Sequence, residues 1–339
     1  MNNPEQIKIK ITISIPIYNC AASIANCITS ALMQTYRNIE YILVDDRGND
    51  NSLEIAKEII NQSERKNSVK YVKHESNKGC GAVRNTGIQN ATGKYIFFLD
   101  SDDTIPVDAI SLLAEKLHED DYDMVAGSYI RVKTNGEIIA KCILENEIIT
   151  SKEKCALAFV KHKKYPVTNW GKLYKRNIFT KHSMRFINGC HQDTPCTFEL
   201  ALYQNKIRLC EDIVYHYIYT KGSVSTSALK EKNYDAFKES FIKMEKIANK
   251  YKHNALYISL IGFLNNYRLF VIWQLLNKKQ NISNKRMYLK TFAKPLLSFR
   301  QIIWDRRISV FEKIKHTIFI LPETVRISIL YIIAQKENK

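Results

Sequence analysis

The chain has 339 residues, 45% of them hydrophobic, enough to bury a full core, and the length suits two structural units rather than one. Its formal net charge of +17 favours an anionic partner, whether nucleic acid, acidic lipid or a phosphorylated substrate, and charge alone does not choose among them. No uninterrupted run of about 18 apolar residues occurs, which excludes a spanning helix, while the lack of a secretion-type leader and of any CxxC pair predicts that the eight cysteines are reduced packing residues in a cytosolic chain.

The first hundred residues alternate strand-like and helix-like segments, the rhythm of a parallel sheet with covering helices. "IKITISIPIYN" is a β-branched run ending at Pro16, and "SIANCITSALMQ" carries apolar residues at helical spacing. "IEYILVDD" predicts the second strand, "NSLEIAKEII" a helix capped by Asn51 or Asp50, and "VKYVKH" the third strand. "GAVRNTGIQNA" predicts another helix and "KYIFFLD" the fourth strand. Farther on, "DAISLLAEKLHE" predicts a helix, "YDMVAGSYIRVKTNGEIIAKCIL" a strand and then a hairpin across Asn135–Gly136, and "TSKEKCALAFV" a helix opened by a Thr150/Glu153 capping box. "KLYKRNIF" and "KIRLCEDIVYHYIY" supply short strands. From about residue 230 helical periodicity runs to the end, so the unit boundary falls near residue 225, after the polar loop "KGSVSTS".

The chemistry concentrates at strand ends. In "FFLDSDD" a buried apolar run meets three acids; alternation along an extended chain points Asp100 and Asp102 the same way and leaves Asp103 at the turn. Such acids repel one another unless a divalent cation such as Mg²⁺ or Mn²⁺ sits among them. A second pair, Asp45–Asp46, also ends a strand, and open α/β sheets bind ligands at the carboxyl ends of their strands. One acid can accept from a base or ribose while the other cluster holds a cation bridging two phosphates, the outline of a site for a nucleotide with a charged tail. "KGCGAVRN" adds glycines and Arg84 at a helix start, where backbone N–H groups favour an anion. It lacks the third glycine of the dinucleotide fingerprint and follows the third strand, so it is not that fingerprint. Taken singly, each acid reads as a turn residue or helix cap, and Asp193 in "DTPCTFEL" as an N-cap ahead of Pro195; the joint placement favours a site.

The segments "SIPIYN", "SALMQTYRNIEYILVDDRGNDNSLEIA", "KGCGAVRNTGIQNATGKYIFFLDSDD" and "HQDTPCTFEL" together resemble the family 2 glycosyltransferases, over roughly the first 220 residues. The resemblance implies a GT-A (Rossmann-like) nucleotide-sugar domain with a mostly parallel central sheet over 1–225, followed by an all-α region over 226–339, and inverting transfer from a UDP-sugar to a hydroxyl of a bacterial surface glycan (lipooligosaccharide, capsule or O-antigen). Matched to the family's motifs, Pro16 and Tyr18 lie near the uracil and Asp46 reads the base. Arg84 lies near the donor, Asp100 nearer the ribose or sugar, and Asp102 ligates Mn²⁺ or Mg²⁺. Asp193 matches the catalytic base, and Lys221 in "TKGSVS" stands where a cation faces the diphosphate. Two departures stand out: Gln192, after His191, replaces the usual Glu before the base, and "RGND" at 47–50 replaces "GSTD". His191 is expected either at the acceptor or simply in a loop; Trp170 and Lys172 in "NWGKLY" either line the acceptor pocket or pack in the core.

From Lys278 to Lys339 the chain carries 14 Lys or Arg against 4 Asp or Glu, a net +10. Phe292, Leu296, Phe299 and Ile303 form one helical stripe and Ile314, Ile318 and Leu321 another, with Trp304 and Arg306–Arg307 as membrane-facing candidates. Such helices suit the anionic inner face of the cytoplasmic membrane, where a peripheral enzyme would meet a lipid-linked acceptor; the alternative is a helical subdomain packed on the catalytic unit or on a second copy, as a homodimer. Three other functions compete. A non-catalytic nucleotide-sugar or glycan-binding protein would show a broken acid pair or a missing base. A specific nucleic-acid binder would show an aromatic recognition pattern, and a sugar nucleotidyltransferase a glycine-rich basic loop after the first strand. None of these marks is present.

Overall fold

Strand β1 (Ile11–Ile17) is buried almost end to end because it lies inside a sheet covered on both faces. In this computed structural model the described residues are 9–189, 191–219, 229–276 and 282–304, then 308, 310–322, 324–326, 328, 329 and 332. Lys221, Arg306–Arg307 and the boundary expected near 225 lie outside them.

β1 pairs in parallel with β2 (Ile39–Asp45) on one side and β4 (Tyr95–Phe98) on the other, and β2 pairs in parallel with β3 (Val69–Lys73) at the edge. Helices α1 (Ile24–Leu32), α2 (Ser52–Asn61) and α3 (Cys80–Asn90) make the crossovers. After α4 (Ala109–Lys116) the chain adds β5 (Met124–Lys133), β6 (Ile138–Cys142), β7 (Glu147–Thr150), α5 (Lys152–Val160), β8 (Lys172–Lys175), α6 (Asn177–Lys181), α7 (Asp193–Ala201) and β9 (Lys206–Tyr219). The order across the sheet is β3-β2-β1-β4-β8-β5-β9-β7, with β6 paired to β5. The N-terminal half is wholly parallel. In the second half β8 runs antiparallel to both neighbours and β9 parallel to β5.

Period-two alternation splits β4 between two cores: Tyr95 and Phe97 face α1, α2 and α4, whereas Ile96 and Phe98 face α3, α5 and α7. The second core continues without a break into α8 (Glu231–Asn249), α9 (Tyr257–Leu276) and α10 (Lys285–Phe292). Phe263 of α9 packs at 5.2 Å on both Phe159 of α5 and Phe198 of α7. α9 is apolar almost all round because neighbours surround it.

Several local expectations are corrected. Helix α5 is capped by Ser151, which accepts from the Lys154 N–H, because Thr150 is spent in the unpredicted strand β7. The "KLYKRNIF" strand stops at Lys175 and turns into α6, and β9 is one 14-residue strand. The stripe expected from Phe292 to Ile303 does not run along one helix: α10 ends at Phe292 and α11 (Phe299–Trp304) starts beyond Pro295, which cannot donate to a helical ladder. Phe292 and Ile302 are core, while Trp304, Val310 and Ile314, the last two on α12 (Val310–Ile318), are exposed. The described cysteines are all free.

Candidate active site

The chain runs β1 to β2 to β3 in one direction and then returns to place β4 on the other side of β1, so the order reverses between β1 and β4. Loops diverge there and leave a crevice. Ser14 O accepts from the Leu99 N–H at 3.1 Å and Ile17 O from the Asp46 N–H at 3.0 Å, so even positions of β1 address β4 and odd ones β2. Pro16 therefore lacks its N–H on the side from which β4 departs, where the ladder has ended. Tyr18 stands at the rim, 46% exposed. Asn19 Oδ1 accepts from the Asn49 N–H at 2.7 Å and Asp50 Oδ2 from the Ala21 N–H at 2.8 Å, tying the loops after β1 and β2 together. A Cβ on Gly48 would stand 2.8 Å from the Asn19 nitrogen, so the "RGND" loop needs its glycine there, while Arg47 takes the left-handed turn at φ +62°.

The two acids ending β2 have different fates. Buried Asp46 accepts from the His74 ring (2.6 Å) and from the backbone N–H groups of Lys78 (2.8 Å) and Gly79 (2.8 Å). Both its oxygens thus hold the loop into α3, which is where the structure places the residue expected to read the base. Asp45 accepts from the Arg47 N–H at 2.9 Å through Oδ1, and its Oδ2 has no partner among the described residues.

The carboxylates of Asp100, Asp102 and Asp103 offer oxygens within 4.8 Å of one another. Asp103 is no solvated turn residue: it is buried, takes the Tyr215 hydroxyl at 2.8 Å and the Ile218 N–H at 2.7 Å, and anchors the turn to β9. Burial, then the charges of Asp102 and Asp100, push its pKa well up. Asp102 is exposed and, among the described residues, partnered by nothing beyond its own backbone, and desolvation followed by Asp100 raises its pKa. Asp100 pairs with Arg84 at 2.6 Å. Three crowded acids against one arginine, with one carboxylate left open, fit a divalent cation at Asp102 with Asp100 beside it.

Arg84 lies on α3, which packs so closely that a Cβ on Gly81 would meet the Ile187 carbonyl oxygen at 2.1 Å. Its guanidinium is buried over Phe186, and Nη1 has no partner among the described residues. Nε donates to the side-chain oxygen of Asn169, whose amide nitrogen donates to Asp193 Oδ2 at 2.9 Å. Asp193 is the first residue of α7, and Gln192 occupies the capping position without a side-chain bond to the helix end; the Asp193 carboxylate accepts from Asn169. Burial raises its pKa; Arg84 and Lys172 oppose the rise. Buried Lys172 donates to the Thr168 carbonyl, and burial lowers its pKa to about 7, with Asp193 opposing. A cleft of about 720 Å³ opens beside Asp102, lined by Ser23, by Asn26 of α1, by Ile130 and Val132 of β5, and by His216 and Ile218 of β9; Arg84 and Asp193 are not in its wall.

The sequence model of the family described as Glycosyl transferase family 2 matches residues 12–183, just over half of the chain. The chain belongs to this family. Glycosyltransferase GlyA of Streptococcus pneumoniae serotype 4 is 31% identical over 231 residues, 64% of this chain and 31% of GlyA, so the chain spans about a third of that relative. Cholesterol galactosyltransferase of Borreliella burgdorferi is 27% identical over 306 residues, 86% of this chain and 82% of its own. The fold is similar to S. aureus TarS 1–349 in complex with UDP-GlcNAc, at TM-score 0.73 and 18% identity, covering 97% of this chain and 91% of TarS 1–349.

In this glycosyltransferase the structure brings together Asp100, Asp102, Arg84 and Asp193 from among the residues expected from sequence, with Pro16 and Tyr18 at the rim of the same crevice. Arg84 is committed to Asp100 and Asn169, which leaves Nη1 as its open donor. For Trp170 and Lys172 the structure shows the packing alternative: Trp170 is buried and stacks on Tyr215 at 4.3 Å and Tyr217 at 5.8 Å, and Lys172 is buried and donates to the Thr168 and Trp170 carbonyls. His191 turns its ring onto Phe237 of α8 and Phe270 of α9, at 5.3 and 5.4 Å, joining the catalytic half to the helices; desolvation lowers its pKa. Gln192 donates to Cys80 Sγ at 2.6 Å. Sequence reasoning missed Asn169 and Tyr215. Asn169 adjoins Trp170 in "TNWGKLY", yet nothing in one sequence marks an asparagine whose partners lie 85 positions upstream and 24 downstream.

Proposed function

We propose that this glycosyltransferase moves a hexose or N-acetylhexosamine from a UDP-sugar to a hydroxyl of a bacterial surface glycan, with inversion. One observation carries the reading: a half-buried carboxylate, Asp193, is linked through Asn169 and Arg84 to an acid turn whose Asp102 is open. Inversion requires a base on one face of the anomeric carbon and departure of the diphosphate on the other. Asp193 takes the acceptor proton as the new bond forms, and burial keeps its proton affinity high enough for the task. Tyr18 offers a ring for the uracil, Asp45 an open oxygen for the base edge, and Asp100 faces the ribose side. Arg84 adds fixed positive charge near the donor. A Mn²⁺ or Mg²⁺ ion, held by Asp102 with Asp100, would stabilise charge on the leaving diphosphate. Supporting the donor class is the TarS complex, which holds UDP-GlcNAc. The test incubates purified protein with a panel of UDP- and GDP-sugars, with and without Mn²⁺. Metal-dependent UDP release with one UDP-hexose is expected; release from GDP-sugars alone would overturn the donor assignment.

Catalysis is assigned to residues 1–225 and attachment to 226–339. The tail combines a net +10 over residues 278–339 with Trp304 79% exposed, and with Val310, Ile314, Val325 and Ile332 also exposed. Apolar tips beside cations suit an anionic membrane surface, where each cation contributes about 1 kcal/mol. No helix among the described residues is long and apolar enough to cross a membrane. A relative named for cholesterol galactosylation accords with an acceptor confined to a bilayer. Co-sedimentation with phosphatidylglycerol vesicles, weakened by salt and absent with phosphatidylcholine, is the expected result; a dimer in ultracentrifugation that ignores both vesicles would show that these side chains cover a second copy instead.

A further inference from the structure

The amide of Asn169 has only one orientation that satisfies its neighbours. Arg84 Nε carries a hydrogen and no lone pair, so the amide oxygen must face it, which turns the –NH₂ group onto Asp193 Oδ2 at 2.9 Å. Asn169 is 1% exposed, and its oxygen and nitrogen are both engaged, so the amide cannot rotate without orphaning a buried donor. Arg84 in turn cannot swing, because Nη2 is held by Asp100 at 2.6 Å and its plane lies over Phe186. The chain of contacts therefore runs from the acid turn to the carboxylate on α7 through one neutral side chain.

We propose that Asn169 is a positioning residue for glycosyl transfer: it fixes the rotation of the Asp193 carboxylate, using Arg84 as its own brace. The inference rests on the glycosyltransferase reading above. In the transfer step the acceptor O–H bond breaks toward Asp193, the acceptor oxygen bonds to the anomeric carbon, and the carbon–oxygen bond to UDP breaks with its electron pair. A carboxylate free to turn about its last torsion presents its lone pair to the hydroxyl for only part of the time. One held through Oδ2 presents it continuously, and small misplacements of a reacting group can cost about 10²-fold in rate. A donated N–H favours the ionised carboxylate, so the side-chain amide acts in the same direction as the backbone of Asn169 and Arg84, both of which oppose the burial that raises its proton affinity.

Neutrality is what suits asparagine to the position. A lysine or arginine would pair with Asp193 and repel Arg84, whereas an aspartate would capture Arg84 and repel the base. An amide satisfies a cation on one side and an anion on the other without changing the net charge of a buried cluster.

The experiment compares wild type with Asn169→Asp, which keeps the shape and removes the amide donor, and with Asn169→Ser, which shortens the side chain. Each is checked by circular dichroism and melting, then assayed for UDP-coupled transfer across pH. Expected in both is a fall in kcat of about 10- to 100-fold with donor KM within about threefold, and an acidic limb displaced upward, by about one pH unit in Asn169→Asp. A merely structural asparagine would lower the melting temperature yet leave the limb and the turnover per folded molecule in place, and that result overturns the inference. Wild type that transfers from no sugar nucleotide overturns the underlying reading instead.

Discussion

Asp193→Asn is expected to lower kcat by about 10²–10⁴-fold, the usual contribution of a general base, while donor affinity stays within about twofold. The substitution is isosteric, and the new amide oxygen can still accept from Asn169, so the loop and helix α7 have no cause to move. What disappears is the basic lone pair. Stability supplies an independent sign. Burial raises the Asp193 pKa in the folded protein, so its contribution to stability is fully present below the ordinary carboxylate pKa and is lost as pH rises through the raised value. The neutral variant should therefore melt at or above wild type at neutral pH, with the difference closing in acid. Calorimetric titration with UDP, thermal melts across pH, and the release assay together check all three. Near-normal turnover in Asp193→Asn would move the base elsewhere.

Asp102→Ala is expected to remove metal-dependent UDP release and the thermal shift produced by Mn²⁺, although the acid turn stays folded. That separation is possible because Asp103, not Asp102, ties the turn to Tyr215 and Ile218. A metal at 100 times its dissociation constant stabilises the native state by about 2.7 kcal/mol, enough for a clear shift in melting. The pH dependence follows from the same carboxylates. Asp102 and Asp103 both have raised proton affinity, from burial first and then from their acidic neighbours. Protons therefore compete with the ion up to a higher pH than at an isolated carboxylate, and the Mn²⁺ shift should grow as pH climbs through that window and vanish in acid. A thermal shift that survives Asp102→Ala would place the ion on other ligands.

The acid turn was legible because its signal is local: an apolar strand of four residues with three acids among the next five positions is a pattern that short-range physics explains. The fate of each acid was not. Asp103 and Asp102 are chemically identical neighbours, yet one is buried under Tyr215 from a strand 112 positions away and the other is open. The different surroundings of Asp45 and Asp46 have a similar cause, since the backbone donors that engage Asp46 belong to Lys78 and Gly79. Trp170 read equally as pocket wall or core, and the stacking of Tyr215 and Tyr217 on it places it in the core.

By itself the sequence determined the alternation of strands and helices over the first hundred residues, the acids at two strand ends, and the candidate base on α7, all properties of residues close together in the chain. Only the tertiary structure decided which carboxylates stay open, that Asn169 bridges Arg84 to Asp193, and that the helices after residue 230 share one core with the catalytic half. The physical reason is range. Periodicity and capping act over a few residues, whereas burial and hydrogen-bond partnership depend on which distant strands the sheet order makes neighbours, and that order is set by packing of the whole molecule.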